Sequence, residues 1–150
     1  TIKRDDLSGS EIAALLEAHL TFCRAESPPG SVHALDIHGL RASDIIFWSA
    51  FVEGSLVGCI ALHGLDTEHA EIKSMHTAAA ARGLGIGRAL VEHLLSEARG
   101  MGYTRLSLET GTMESFRPAR ELYQGYGFTP CPPFAQYFED PHSVCMTRQI

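Results

Sequence analysis

The stretch AAAARGLGIGRALVEHLL, Ala78 to Leu95, decides how this chain is interpreted. It places Gly83, Gly85 and Gly87 at alternate positions, directly before a run of apolar residues at helical spacing. The first amide N–H groups of a helix have no partner within the helix and lie at the positive end of its dipole. Because glycines leave those groups accessible, the stretch predicts a turn that binds an anionic group at the start of a helix.

Several kinds of anion site can be compared with this spacing. Arg82 and Arg88 flank the glycines and would add charge-assisted contacts to a phosphate. The chain has no Gly-Lys pair, which excludes the nucleoside-triphosphate loop GxxxxGK[ST]. A GxGxxG dinucleotide motif fails because its third glycine would fall at Arg88 or Leu90. The GxGxG turn of methyltransferases matches the glycine spacing and stays open as an alternative.

The segments around the turn predict a mixture of strands and helices. The predicted elements are a strand at 2–4, a helix at 11–25 capped by Ser8 or Ser10, a hairpin at 45–52 and 56–65, a strand at 69–77, a helix at 85–101, a strand at 105–110, a helix at 118–123 and a strand within 142–150. Hairpins come first and a strand–helix–strand crossover follows. We therefore expect one domain over residues 1–150, with a mixed, mostly antiparallel sheet flanked by helices, in the α/β or α+β class.

Composition narrows the range of partners. The chain is 45% hydrophobic and 20% charged, which is typical of a globular protein. Its formal net charge is −6 and its cations are scattered, so we expect no nucleic-acid partner.

No apolar run approaches the roughly 18 residues of a membrane span, and the first residues do not resemble a secretory signal. A cytoplasmic location is the expectation, and the four cysteines, which form no CxxC pair, are expected to be reduced thiols.

Two motifs of this chain, in the order in which they occur, resemble motifs of one known family. Arg82-x-x-Gly85-x-Gly87 is similar to the R/Q-x-x-G-x-G/A motif of the GCN5-related N-acetyltransferase (GNAT) family. The strands AEIKSMHT and LSLET stand where that family has its fourth and fifth strands, and PARELYQGYGF resembles its A-x-x-L-Y-x-x-x-G-F segment. The similarity runs from about Ile45 to Phe128. The stretches SPPGSVHALD and ETGTMESFRPAR also resemble a bacterial branch of acetyltransferases that are named only by their general activity.

The resemblance implies that acetyl-coenzyme A (acetyl-CoA) is the cosubstrate and that its pyrophosphate lies on the glycine turn. The residues that it implies for acetyl-CoA binding are Met75, His76, Thr77, Arg82, Gly83, Leu84, Gly85, Ile86, Gly87 and Arg88. Backbone N–H groups near Met75 and His76 would polarise the thioester carbonyl. Phe116 stands where many members have an asparagine that contacts the cofactor, so that contact is not carried over. No metal is implied.

The implied activity is transfer of acetyl from acetyl-CoA to a primary amine of a small molecule or peptide, by direct attack. A lysine-like amine, with a pKa of ~10.4, is almost fully protonated at pH 7, so a base is needed. Glu71, placed where family members with a strand glutamate have theirs, is the expected base, and His76 is its rival. Glu109 and Glu114 could also bind or deprotonate the amine. Tyr123 is the expected acid that protonates the leaving thiolate.

The acceptor side is less well defined by the sequence. Aromatic and acidic side chains suit a cationic acceptor. The candidates to line this side are Trp48, Phe51, Tyr137, Phe138, Glu139 and Asp140. A non-catalytic acyl-CoA-binding module and a small methyltransferase that uses S-adenosylmethionine are the alternatives, and a homodimer is compatible with the sequence.

Overall fold

The computed structural model describes every residue of the chain, 1–150. The strands are β1 (Ile2–Arg4), β2 (Ile45–Val52), β3 (Ser55–Gly64), β4 (His69–Thr77), β5 (Arg105–Gly111), β6 (Thr129–Cys131) and β7 (Ser143–Gln149). The α-helices are α1 (Ser10–Glu26), α2 (Ile37–Leu40), α3 (Ile86–Gly100) and α4 (Arg117–Gly125). Short 3-10 turns occupy Pro29–Ser31, Ala79–Ala81 and Glu114–Phe116.

All seven strands form one sheet in the order β1-β2-β3-β4-β5-β7-β6. Only the β4–β5 pair is parallel, and every other neighbouring pair is antiparallel. The predicted mixed, mostly antiparallel sheet with flanking helices is therefore confirmed. The sequence did not predict β6, an edge strand of three residues that contains Pro130 and pairs only with β7.

The parallel pair of strands at the centre of the sheet is short. β4 and β5 are joined only at His69–Arg105, Ala70–Leu106 and Glu71–Ser107. β4 then stays paired with β3 as far as Thr77, while β5 stays paired with β7 as far as Gly111. Because each strand follows its other neighbour, the two diverge and a cleft opens in the middle of the sheet.

A β-bulge in β4 lies within the diverging part. Cys59 pairs with His76 and Ala61 pairs with Lys73, so two residues of β4, Ser74 and Met75, lie opposite Ile60 alone. Ser74 has a φ of 52°, in the left-handed region that non-glycine residues seldom adopt. Bulges bend a strand and increase its twist. The bulge thus accounts physically for the bend of β4 away from β5.

Helices pack on both faces of the sheet. The larger apolar core lies between the sheet and α3, where Leu90, Val91, Leu94 and Ala98 are buried at helical spacing. A smaller core lies under α1 and α2 on the other face. None of the helices is both long and apolar enough to cross a membrane.

The predicted cap of α1 is wrong. The residue at the N-cap is Gly9, and no side chain caps the helix. The Ser8 hydroxyl instead donates to Asp6 Oδ1 at 2.6 Å, within the turn that precedes the helix. Ser10 is already the first helical residue.

Gly58 on β3 permits the close approach of α3. A Cβ atom at this position would lie 2.9 Å from Ile86 Cγ2, 3.0 Å from the His76 carbonyl oxygen and 3.1 Å from Leu90 Cδ1. We expect Gly58→Ala to lower the free energy of unfolding by about 1–3 kcal/mol, because the packed layer must shift. Urea unfolding measures this value. Gly100→Ala is the control, since nothing lies within 4 Å of its Cβ position; an equal loss in both variants would contradict the packing argument.

Candidate active site

The cleft between the diverging strands has a volume of about 280 Å³. Residues 71–76 of β4 form one wall and residues 109–111 of β5 form the other. The lining also includes residues of α1, residues 31–34, Arg82, Tyr137 and residues of α4 and the turn before it. The break in the central strand pair thus forms a concave site that both central strands line.

The structure brings five of the twelve predicted site residues to this cleft. Glu71, Met75, His76, Arg82 and Tyr123 all line it. The other seven predicted residues, which were all assigned to the cofactor, lie at the end of β4 and beyond it. Thr77 is the last residue of β4, the turn contains Gly83, Leu84 and Gly85, and α3 begins with Ile86, Gly87 and Arg88. Because Arg82 lines the cleft and directly precedes Gly83, the turn adjoins the cleft.

The three glycines of the turn differ in what surrounds them. Gly83 and Gly85 have φ angles of 80° and 81°, and a Cβ atom at either position would meet nothing within 4 Å. Gly85 is the N-cap of α3, and no side chain caps the helix there. A Cβ atom at Gly87 would instead lie 3.2 Å from Leu122 on α4. Two glycines therefore leave the helix terminus open to an anion, and the third serves helix packing.

Two hydroxyl groups on the cleft wall have no partner within the protein. Ser74 Oγ at the bulge and Ser115 Oγ before α4 are buried and form no hydrogen bond. Buried polar groups normally bond to protein or to ordered water, so these two hydroxyls are available to a polar ligand that enters the cleft. The arrangement of an open helix terminus, flanking arginines and unpartnered hydroxyls fits an acyl-CoA, which carries a pyrophosphate and several amide and carbonyl groups.

Tyr123 reaches the cleft from α4. It is 5% exposed, and its ring packs edge-on against Phe128 with 5.8 Å between ring centroids. Burial raises the pKa of Tyr123 above its ordinary value. The phenol is therefore protonated at neutral pH and can donate a proton or a hydrogen bond into the cleft.

Glu71 lies at the base of the cleft and is fully partnered. It is 1% exposed and accepts a hydrogen bond from the Tyr137 hydroxyl. Lys73 Nζ lies 3.3 Å from Glu71 Oε2 and 2.9 Å from Tyr137 Oη. On the other side, His63 Nδ1 lies 3.4 Å from Glu71 Oε1, and His63 Nε2 lies 2.8 Å from Asp44. The Glu71 carboxylate is thus compensated by a buried lysine.

His76 forms a close pair with a histidine that the sequence did not single out. His19 on α1 places its Nδ1 atom 3.2 Å from Nδ1 of His76. Burial lowers the pKa of each imidazole to about 4, and Arg82 also lowers that of His76. Both rings are therefore neutral at pH 7, with one donating to the other. With this pKa, His76 is no stronger as a proton acceptor than an ordinary carboxylate.

The other two carboxylates considered from the sequence differ in position. Glu109 on β5 lines the cleft and accepts a hydrogen bond from Ser143 Oγ at 2.6 Å. Burial raises the pKa of Glu109 above its ordinary value. Glu114 is exposed and lies 3.3 Å from Arg117 on the surface, so it does not line the cleft.

The assignment of Trp48 and Phe51 to the acceptor side is wrong. Trp48 is 2% exposed and packs edge-on against His93 of α3, with 5.4 Å between ring centroids. Phe51 lies under the ammonium group of Lys3, at 4.6 Å. Neither lines the cleft. Both faces of β2 are covered by other elements, so apolar side chains occur on both. The sequence pattern therefore does not show which side chains of β2 lie on which face.

The loop before β7 brings one of its aromatic residues to the cleft. Tyr137 lines the cleft, and its ring centroid is 5.1 Å from that of His33. Phe138 is exposed and also contacts His33, with 6.1 Å between the rings. The Ser31 hydroxyl donates to Asp140, which ties this loop to the segment after α1. Glu139, the remaining candidate, is exposed and does not line the cleft.

Comparison with known proteins confirms the family. Residues 12–128 match the model of the acetyltransferase (GNAT) family, so the chain belongs to it. It is 50% identical over 149 residues to YsnE of Bacillus subtilis (strain 168), an uncharacterized N-acetyltransferase, with 99% of each chain covered. It is 43% identical over 143 residues to YedL of Escherichia coli (strain K12), also an uncharacterized N-acetyltransferase, covering 95% of this chain and 90% of the relative.

Solved structures show the same fold. A GNAT family acetyltransferase from Elizabethkingia anophelis, crystallised with acetyl-CoA bound, superposes with a TM-score of 0.74 at 20% identity, covering 100% of this chain and 97% of the other. The mixed sheet with helices on both faces is thus the GNAT fold. The methyltransferase alternative loses its support, because the glycine turn belongs to a different fold.

The charge at the glycine turn can be tested with an isosteric pair of variants. Gly85→Asn and Gly85→Asp impose similar backbone strain at a φ of 81°, but only aspartate adds a negative charge where an anion is expected. We expect Gly85→Asp to weaken coenzyme A binding at least tenfold more than Gly85→Asn does, as measured by isothermal titration calorimetry. Thermal melting checks that both variants fold. Equal affinities would show that the turn binds no anion.

Proposed function

We propose that this protein is an N-acetyltransferase that moves acetyl from acetyl-CoA to a primary amine of a small molecule or peptide. The observation that supports this most strongly is the cleft through the centre of the sheet. A helix terminus opened by two glycines adjoins it, a protonated tyrosine lies within it, and carboxylates lie along its strands. Family membership supports the acetyl-CoA-dependent reaction class.

The donor end of the cleft is formed by the turn and the bulge. When bound, acetyl-CoA supplies a thioester whose acetyl carbon is open to nucleophilic attack. We assign its pyrophosphate to the N–H groups that follow Gly83 and Gly85, with Arg82 and Arg88 as counter-charges. Backbone N–H groups at the bulge, near Met75 and His76, would stabilise negative charge on the thioester oxygen.

The reaction needs two proton transfers at opposite ends of the reacting atoms. The amine nitrogen forms a bond to the acetyl carbon, the carbon–sulfur bond breaks, and the electron pair goes to sulfur. Tyr123, which lines the cleft and which burial keeps protonated, then gives its phenol proton to that sulfur and regains a proton from solvent. The proton lost by the amine goes to a carboxylate of the cleft. Glu71, the base that the sequence predicts, stays a prediction.

The proposal also covers the domain organisation, the class of acceptor and the location of the protein. We infer that the chain works as a single domain, since one cleft contains groups for both substrates. The acceptor is a small-molecule or peptide amine, in keeping with the reaction class of the family. The cytoplasm, where acetyl-CoA is made and used, is the location that we propose.

Thiol release from acetyl-CoA in the presence of a panel of primary amines tests this function. The panel comprises benzylamine, tyramine, spermidine, free amino acids and a lysine peptide. We expect at least one amine to be acetylated, and we expect Tyr123→Phe to lower kcat for that amine by about 10²-fold, the usual effect of one proton-transfer group. The KM for acetyl-CoA should change by less than threefold.

Tyr103→Phe is the matched control. Tyr103 lies before β5 and does not line the cleft, so the loss of its hydroxyl should leave kcat unchanged. If coenzyme A binds but no amine at any pH gives thiol release, the protein is a non-catalytic acyl-CoA-binding module instead. Mass spectrometry of the products distinguishes amine acetylation from simple thioester hydrolysis.

A further inference from the structure

The charges at the acceptor end of the cleft do not balance. Glu71 and Lys73 form an ion pair at 3.3 Å, and both hydrogen-bond to Tyr137. These two charges cancel. Glu109 is the remaining carboxylate on the cleft wall, and no ion pair within 4 Å in the protein involves it.

Glu109 is positioned at the point where the strands separate. It follows Ser107, the last β5 residue paired with β4, by two positions, so it lies on the same face of the sheet as Ser107 and Glu71. Its Oε2 atom accepts a hydrogen bond from Ser143 Oγ, and Oε1 accepts none from the protein. One oxygen of a half-buried carboxylate is thus left for a group that enters the cleft.

A carboxylate withdrawn from water is unfavourable in its ionised form unless a cation accompanies it. In keeping with this, burial raises the pKa of Glu109. The protein offers no such cation within 4 Å, but an amine acceptor arrives as one. We propose that Glu109, rather than Glu71, binds the ammonium ion of the acceptor and takes its proton. This inference rests on the proposed function, because it assumes that an amine enters the cleft.

The proton is transferred within the ion pair that Glu109 forms with the ammonium ion of the acceptor. One ammonium proton moves to Glu109 Oε1, which leaves a neutral amine with a free electron pair and a neutral carboxylic acid. The raised pKa of Glu109 makes this transfer less unfavourable than transfer to an ordinary glutamate. After acetylation, Glu109 releases the proton to solvent. Glu71 acts as a positioning residue, because it holds Lys73 and the Tyr137 ring that borders the amine.

Benzylamine is the probe for the binding step, since it combines one primary ammonium with a ring that suits Tyr137. Its affinity is measured by isothermal titration calorimetry on the protein saturated with coenzyme A, at pH 7. We expect Glu109→Gln to weaken binding at least tenfold and Glu71→Gln to change it by less than threefold. Benzyl alcohol, which lacks the charge, should bind all variants equally. Glu121→Gln, an exposed change on α4, controls for net charge.

The pH profile of kcat/KM for benzylamine acetylation gives a second and independent measurement. The titratable groups that face Glu109 are Glu71, Lys73, Cys145, Cys23, His33 and Tyr137. Among these, the anion of Glu71 raises the pKa of Glu109. Glu71→Gln should therefore move the acidic limb of the profile to lower pH, whereas Glu109→Gln should abolish it.

Glu71→Gln leaves Lys73 buried without a counter-charge, so folding is checked by thermal melting. The double variant Glu71→Gln/Lys73→Met removes the ion pair as a unit, which buried pairs often tolerate. It should still bind benzylamine, because Glu109 is retained.

Two results would overturn the inference. One is full affinity and an unchanged acidic limb in Glu109→Gln, with both lost in Glu71→Gln, which would make Glu71 the base as the sequence predicts. The other is failure of the wild-type protein to bind benzylamine. Neither result contradicts the proposed function, which fails only if the whole amine panel gives no thiol release.

Discussion

The divergence of β4 from β5 is the constraint on which the rest of the structure depends. Three residue pairs join these strands, and beyond Glu71 and Ser107 each strand follows its outer neighbour. A bulge at Ser74 and Met75 bends β4 at this point. A continuous central pair would fill the sheet and leave no room for a ligand.

The two faces of the opened sheet have different chemistry. On the face of α3 and α4, the glycine turn and the phenol of Tyr123 provide positive potential and a proton donor. On the other face, the loop that contains Tyr137 covers carboxylates of β4 and β5. Under the proposed function, an anionic thioester donor and a cationic acceptor would bind on opposite sides of this opening. The reacting atoms would meet where the strands separate.

Much of this organisation could be predicted from the sequence, because its signals are local. The glycine spacing, the flanking arginines and the apolar period of α3 indicated the turn and its helix to within one residue. The short edge strand β6 has no alternating pattern and contains Pro130, so nothing in the sequence marked it. Trp48 was misplaced because β2 is apolar on both faces.

The charge pattern of the cleft could not be predicted, since it depends on contacts between distant segments. Glu71 and Lys73 are two residues apart on one strand and so share a face, but the sequence could not show the hydroxyl of Tyr137 that joins them. Nor could it show that Glu109 has no cation beside it. That property follows from the separation of two strands, which local sequence patterns do not encode.

Hydrogen–deuterium exchange with and without acetyl-CoA tests the central claim most directly. If the opened sheet holds the donor, acetyl-CoA should slow exchange both in the turn at 82–88 and at residues 74–76 of β4, which include the bulge and line the cleft. Protection confined to the turn, with exchange at the bulge unchanged, would contradict the account. It would mean that the cofactor contacts the surface of the protein without entering the space between the strands.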